Sequence, residues 1–274
     1  MQDKKITFIG AGNMAGSIIS GLVKGGYPAE LICASAPSLN NTEKLSTDFS
    51  ILKSQNNAES AQWADVVVLS VKPQMMAMVC EALIKDGVDF GDKLVISIAA
   101  GVSVARFQSI LGTNTAVIRT MPNTPSLLQQ GMTGLFSSPQ VSSTDKHFAG
   151  ELMAAVGEVV WVEEEKQINS IIAASGSAPA YFFLFMEAMQ TKAIELGFNE
   201  QEARLLVQQT AIGSAEMVKQ NPHLDLATLR KNVTSKGGST AEAINTFNEL
   251  SLSDIVAKAM QAASDRGEEM EKLF

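Results

Sequence analysis

Gly10-Ala11-Gly12-Asn13-Met14-Ala15 has the spacing G-x-G-x-x-G/A. It lies between a run of β formers, Ile6–Ile9, and a stretch with helical apolar spacing, Asn13–Lys24, which ends at Gly25-Gly26. In that context each position has a physical task. The first Gly permits a tight turn, the second lets backbone approach a pyrophosphate, and the small third position lets helix and strand pack closely. Helix N-terminal amides and the helix dipole then favour phosphate. Gly10, Gly12, Asn13, Met14 and Ala15 are therefore expected to bind a dinucleotide. The alternative is a tight turn with no ligand, which the strand–turn–helix setting disfavours.

The end of the second expected strand bears on which dinucleotide. NAD-binding versions place Asp or Glu there for the ribose hydroxyls. Here the chain reads Ser35-Ala36-Pro37-Ser38, with no carboxylate to repel a 2′-phosphate. That favours NADP(H). No Arg stands there either, so NAD(H) stays open. Three further loops follow expected strands, where strand carboxyl ends border the cofactor crevice. Val71-Lys72-Pro73 and Ala99-Ala100-Gly101 are expected on the nicotinamide side, the latter because small residues let a ligand come close. Met121-Pro122-Asn123-Thr124-Pro125 is stiffened by two prolines, and offers either polar groups at the crevice or a structural turn.

A second cluster lies far along the chain. Thr234-Ser235-Lys236-Gly237-Gly238-Ser239-Thr240 separates two helical stretches. Its Gly pair permits a turn that aims successive amides into one concavity, and Ser239-Thr240 opens a helix with its positive dipole end. A carboxylate site and a simple interhelical turn both fit this spacing. Ser175-Gly176-Ser177-Ala178-Pro179-Ala180-Tyr181 precedes another apolar stretch.

The elements that must hold these groups alternate in the first part of the chain. Strands are expected at 6–9, 31–35, 66–71, 94–98, 116–119 and 159–162, with helical stretches between them. This pattern implies a parallel sheet with right-handed crossovers. After Glu163-Glu164-Glu165-Lys166, read as a solvated segment, no strand is expected. The fold class is therefore α/β, a Rossmann-type parallel-sheet domain over 1–163 followed by an all-α domain over 164–274. Residues 170–189 are nearly uncharged and long enough to cross a bilayer. Ser175-Gly176-Ser177, Pro179 and Glu187 interrupt them, so a helix covered by protein is expected, with no membrane partner.

Composition narrows the classes. The 274 residues are 46% hydrophobic, with 21 Lys+Arg against 29 Asp+Glu and a net charge of −8. An acidic surface argues against nucleic acid. Only Cys33 and Cys80 are present, which argues against a disulfide framework and for a cytoplasmic setting. His147 and His223 are too scattered for a His-based metal site, and none is expected. The start, Met1-Gln2-Asp3-Lys4-Lys5, shows no signal-peptide architecture.

Taken together, the Gly10 loop, Asn57 ahead of Ala64-Asp65, Val71-Lys72-Pro73-Gln74, Met121 to Pro125, Ser175 to Tyr181 and Gly237-Gly238-Ser239-Thr240 resemble the pyrroline-5-carboxylate reductase family along essentially the whole chain. The resemblance implies reduction of 1-pyrroline-5-carboxylate to L-proline, the last step of proline biosynthesis, by hydride from NAD(P)H. It also implies a homodimer built from interleaved helices, with further assembly into decamers. Carried over by residue, Ser235, Gly238, Ser239 and Thr240 bind the substrate carboxylate, and Thr240 sits near the ring nitrogen as the catalytic candidate. Ser35 and Asn57 line the adenosine side; Val71, Lys72, Pro73, Ala99, Ala100 and Gly101 line the nicotinamide side. One departure is Lys236, where the family commonly has Pro. Two competing readings are a 3-hydroxyacid-type dehydrogenase and a cofactor-sensing regulator. The first needs a catalytic Lys on the first long helix of the second domain, and residues 175–189 contain neither Lys nor His.

Overall fold

The computed structural model describes residues 2–274. Eight strands form one sheet: β1 (Ile6–Ile9), β2 (Ile32–Ser35), β3 (Leu52–Ser54), β4 (Val66–Leu69), β5 (Leu94–Ser97), β6 (Ala116–Met121), β7 (Gly131–Ser137) and β8 (Gly157–Trp161). Their order is β3-β2-β1-β4-β5-β6-β7-β8. All residues of β1, β2, β4 and β5 are buried. Such runs are predominantly apolar because helices cover both faces of a parallel sheet.

Alternation along the strands divides two cores. Ile6, Phe8, Val66, Val68, Leu94 and Ile96 face one side, packed with Ile18, Leu22 and Leu152 of the helices Asn13–Lys24 and Ser143–Ala154. Ile9, Val67, Leu69 and Val95 face the other, packed with Met76, Leu83 and Phe107 of Pro73–Lys85 and Val104–Leu111.

The first six strands are mutually parallel in the order 3-2-1-4-5-6 of a dinucleotide-binding sheet. The expectation of a wholly parallel sheet needs one correction. β7 runs antiparallel to β6, and β8 pairs parallel with β7. Only a short connection, including the 3₁₀ turn Thr124–Leu128, separates β6 from β7. With no crossover helix the chain must double back. Strands β3 and β7 were not expected from the sequence.

Beyond β8 the described residues contain helices and no strand. These are Gln167–Ile171, a π-helical turn Ile172–Gly176, Ala178–Glu195, Glu200–Gln220, Leu226–Asn232, Ser239–Glu249 and Leu252–Leu273. The chain forms two compact units, one running to Pro179 and including Ala262–Phe274, the other Ala180–Gln261. Within the second unit, Ala203 and Val207 are buried. Phe182, Phe183, Leu184, Leu205 and Ile212 are exposed, Phe182 by 68%. So much exposed apolar surface calls for a partner. Gln167–Glu195 is the one helical run among the described residues long and apolar enough to cross a membrane.

Candidate functional site

The carboxyl ends of β1, β2 and β4 meet at the glycine loop. Gly10 N–H donates to the Ser35 carbonyl at 2.8 Å, so the turn closes onto the end of β2. Gly10 has φ +104°, and a Cβ there would lie 2.8 Å from the Ser70 carbonyl oxygen and 3.0 Å from Val71 Cγ1. Only glycine fits that approach. Ser70 Oγ donates to the carbonyls of Ile9 (3.0 Å) and Gly10 (2.7 Å), pinning the loop to the end of β4. Ser70 was not singled out from sequence; its one signal is that it immediately precedes Val71-Lys72-Pro73.

Gly12 behaves differently. It is exposed, and a Cβ built on it would meet nothing within 4 Å. It is the N-cap of Asn13–Lys24 and supplies no side-chain cap, so the first-turn amides are left for another acceptor. By contrast, Ser103, Ser142 and Asn199 cap their helices with side-chain hydrogen bonds. Asn13 is exposed and Met14 half-buried, while Ala15 is 1% exposed and lets the helix sit close to the sheet. An open glycine before bare helix amides fits the phosphates of a dinucleotide.

The structure pairs two residues on the expected adenosine side: Ser35 Oγ donates to Asn57 Oδ1 at 2.7 Å. Ser35 is fully buried, and the strand ends without a carboxylate. Lys72 is exposed at the N-cap of Pro73–Lys85, with Pro73 as the first helical residue. Ala99, Ala100 and Gly101 follow β5, next in the sheet to β4, and Ile98 N–H donates to the Leu69 carbonyl at 3.2 Å. Gly101 is buried with φ +73°. Asn123 is a structural link: its amide donates to the Ser175 carbonyl (3.1 Å) and its oxygen accepts from Met132 N–H (2.9 Å).

Glu165 departs from its expected solvated role. It turns inward to Arg119, itself only 1% exposed, with Arg119 Nη1 donating to Glu165 Oε1 at 2.5 Å. Glu271 Oε1 accepts from the same nitrogen at 2.8 Å. Glu163 and Glu164 remain exposed.

In the second unit, Gly237 takes φ +70° and Gly238 N–H donates to the Ser235 carbonyl at 3.1 Å, closing the turn. Gly238 is the N-cap of Ser239–Glu249, again with no side-chain cap. Ser235, Lys236, Ser239 and Thr240 are exposed, so this helix also begins with bare amides beside hydroxyls. Among the described residues no group of three or more His, Cys, Asp or Glu could hold a metal ion.

The strand order and the glycine loop define a Rossmann-type dinucleotide-binding oxidoreductase fold joined to a helical domain. The family model for NADP oxidoreductase, coenzyme F420-dependent, matches residues 5–101, and that for pyrroline-5-carboxylate reductase dimerisation matches 165–270. The chain is 61% identical to the pyrroline-5-carboxylate reductase of Vibrio alginolyticus over 274 residues, covering all of both chains. Among solved structures, the pyrroline-5-carboxylate reductase of Coxiella burnetii superposes with a TM-score of 0.92 at 41% identity, over 98% of this chain and 99% of that one. The Plasmodium falciparum pyrroline carboxylate reductase with NADP bound gives 0.86 at 28% identity, over 99% of each. The chain belongs to the pyrroline-5-carboxylate reductase family.

Proposed function

We propose that this enzyme reduces 1-pyrroline-5-carboxylate to L-proline as the last step of proline biosynthesis, with NADPH preferred over NADH. The observation that carries the reaction is the 61% identity over the whole of both chains to a reductase of that name. The cofactor preference rests on β2 ending at buried Ser35 with no carboxylate, and a relative's structure has NADP bound.

Reduced nicotinamide supplies the hydride when bound. The chain's residues bind and orient. The amides around Gly12, with Asn13, Met14 and Ala15, hold the pyrophosphate, and Gly10 gives the turn its shape. Ser35 and Asn57 bind on the adenosine side. Val71, Lys72, Pro73, Ala99, Ala100 and Gly101 border the nicotinamide. The amides of Gly238, Ser239 and Thr240, with the Ser235 hydroxyl, hold the imino acid's carboxylate. Thr240 Oγ1 hydrogen-bonds the ring nitrogen. A protonated imine accepts hydride at carbon far better than a neutral one, so this reaction needs orientation more than a strong acid or base.

In this reading residues 1–163 serve the cofactor, and residues 164–274 serve dimerisation and the substrate. The exposed Phe182, Phe183 and Leu184 lie in the dimerisation match. Dimers assemble further into decamers in the cytoplasm. Initial rates with NADPH and NADH in parallel test the cofactor assignment. A kcat/KM about tenfold or more higher with NADPH supports it, about 1.4 kcal/mol of discrimination; equal values reject it.

A further inference from the structure

The loop between β5 and the helix Val104–Leu111 is short, and Ala99 and Val102 anchor it in the core shared with Phe107. Between those two anchors, Gly101 has no side chain of its own and meets the last turn of the helix Leu252–Leu273. A Cβ on Gly101 would lie 2.6 Å from Met270 Cβ and 3.3 Å from Met270 Cε, so the methionine occupies the space a side chain would take. At the far end of the loop, Val104 N–H donates to Glu165 Oε1 at 2.7 Å. That oxygen also accepts from Arg119 Nη1, which in turn reaches Glu271 Oε1 at 2.8 Å. Arg119 Nε and Nη2 have no hydrogen-bond partner among the described residues, so the buried guanidinium depends on these two carboxylates.

The same helix end is seated at two further points. Arg106 Nε donates to the Phe274 backbone oxygen at 3.0 Å. Gly267, about one turn earlier, is buried, and a Cβ there would lie 3.0 Å from Asn169 Oδ1 and from Ile172 Cδ1. The end of this helix is therefore held at several separate points.

We propose that Met270 and Glu271 are positioning residues for the 98–104 loop, and that through it they set where the nicotinamide end of the cofactor lies. The proposal rests on the placement of Ala99, Ala100 and Gly101 beside the nicotinamide. Met270 acts by filling the Gly101 space, and Glu271 by completing the charge pair that holds Glu165 against Val104 N–H. Misplacement of a reacting group by about 1 Å can cost about a hundredfold in rate. A side chain remote from the phosphates then has its effect only where the hydride leaves.

The test compares two ligands on purified full-length protein, NADPH and 2′-phospho-ADP-ribose, which lacks the nicotinamide. For Met270→Gly, which removes both the Cβ and the Cε that face Gly101, the expected result is a Kd for NADPH raised about tenfold and a lower kcat, with 2′-phospho-ADP-ribose binding and the KM for the imine within about twofold of wild type. Met270→Leu, which conserves volume, restores NADPH binding to within about twofold. Glu271→Gln, nearly isosteric, gives the same selective loss and decides the matter if Met270→Gly does not fold. Equal weakening of both ligands means a general structural role and overturns the proposal. Unchanged NADPH binding in both variants overturns it too. Wild-type protein that binds NADPH without reducing 1-pyrroline-5-carboxylate defeats the reaction assignment instead, and the two-ligand comparison still decides the role of the helix end.

Discussion

Adding one methyl group at each loop glycine should separate shape from ligand binding. Gly10→Ala places a Cβ 2.8 Å from the Ser70 carbonyl oxygen on a backbone with φ +104°. The positive φ costs about 1–2 kcal/mol for a residue with a Cβ, and the forced contact about 1–3 kcal/mol more. Gly12→Ala meets no atom within 4 Å and has φ −77°. Replacing Gly by Ala at an N-cap costs about 1 kcal/mol or less. The new methyl group does, however, stand where a pyrophosphate must approach the Asn13–Lys24 amides. Losing one charge-assisted hydrogen bond costs about 1.5–3 kcal/mol, which is about ten- to a hundredfold in Kd. Urea denaturation and NADPH titration on the same samples measure both effects. Gly10→Ala should lose several kcal/mol of stability; Gly12→Ala should lose about 1 kcal/mol or less and still lose NADPH. A Gly12→Ala protein that folds normally and binds NADPH within about threefold of wild type would refute the phosphate-loop reasoning.

Thr240→Ala should lower kcat/KM by about 10–1000-fold while the protein stays folded, since orientation and the cofactor remain; in steady-state assays, a loss below about twofold would remove Thr240 from the mechanism. Cys33 and Cys80 are buried, and burial raises both thiols, Cys80 to about 12. Iodoacetamide at pH 8 should leave both unmodified in native protein and alkylate both in urea, as read by intact mass. Burial opposes ionisation of Asp145, but hydrogen bonds from Lys4 and Ser142 outweigh it and hold the carboxyl below its ordinary value. A depressed folded-state value stabilises the protein above the ordinary carboxylate range, near pH 4, and that contribution fades as pH falls through the lowered value. Asp145→Asn should therefore be less stable than wild type by about 1 kcal/mol or less at pH 7, with the gap closing below pH 4 in thermal melts.

The elements that position the site were legible wherever burial left a pattern. Ile6–Ile9 and Asn13–Lys24 match the expected bounds because a doubly covered strand must be apolar and a half-covered helix must be periodic. Strand β3, Leu52–Ser54, is a three-residue edge pairing only with β2, and its Leu52 and Lys53 are exposed, so no hydrophobic pattern marks it. Strand β7 has glycines at 131 and 134, which lower its strand propensity. They are required there by close neighbours, Val156 O beside Gly131 and Ile171 beside Gly134. The glycine loop was readable because its chemistry is local. The Ser35–Asn57 hydrogen bond, the Arg119 pairings with Glu165 and Glu271, and the seating of Met270 on Gly101 were not. Each joins residues remote in sequence, and such contacts exist only after the sheet and the last helix have assembled.

The most direct test is to incubate purified protein with 1-pyrroline-5-carboxylate and NADPH, following the reduced-nicotinamide absorbance and proline formation together. The account predicts that one L-proline appears for each NADPH consumed. NADPH that binds but is not oxidised, or is oxidised without proline forming, would contradict it.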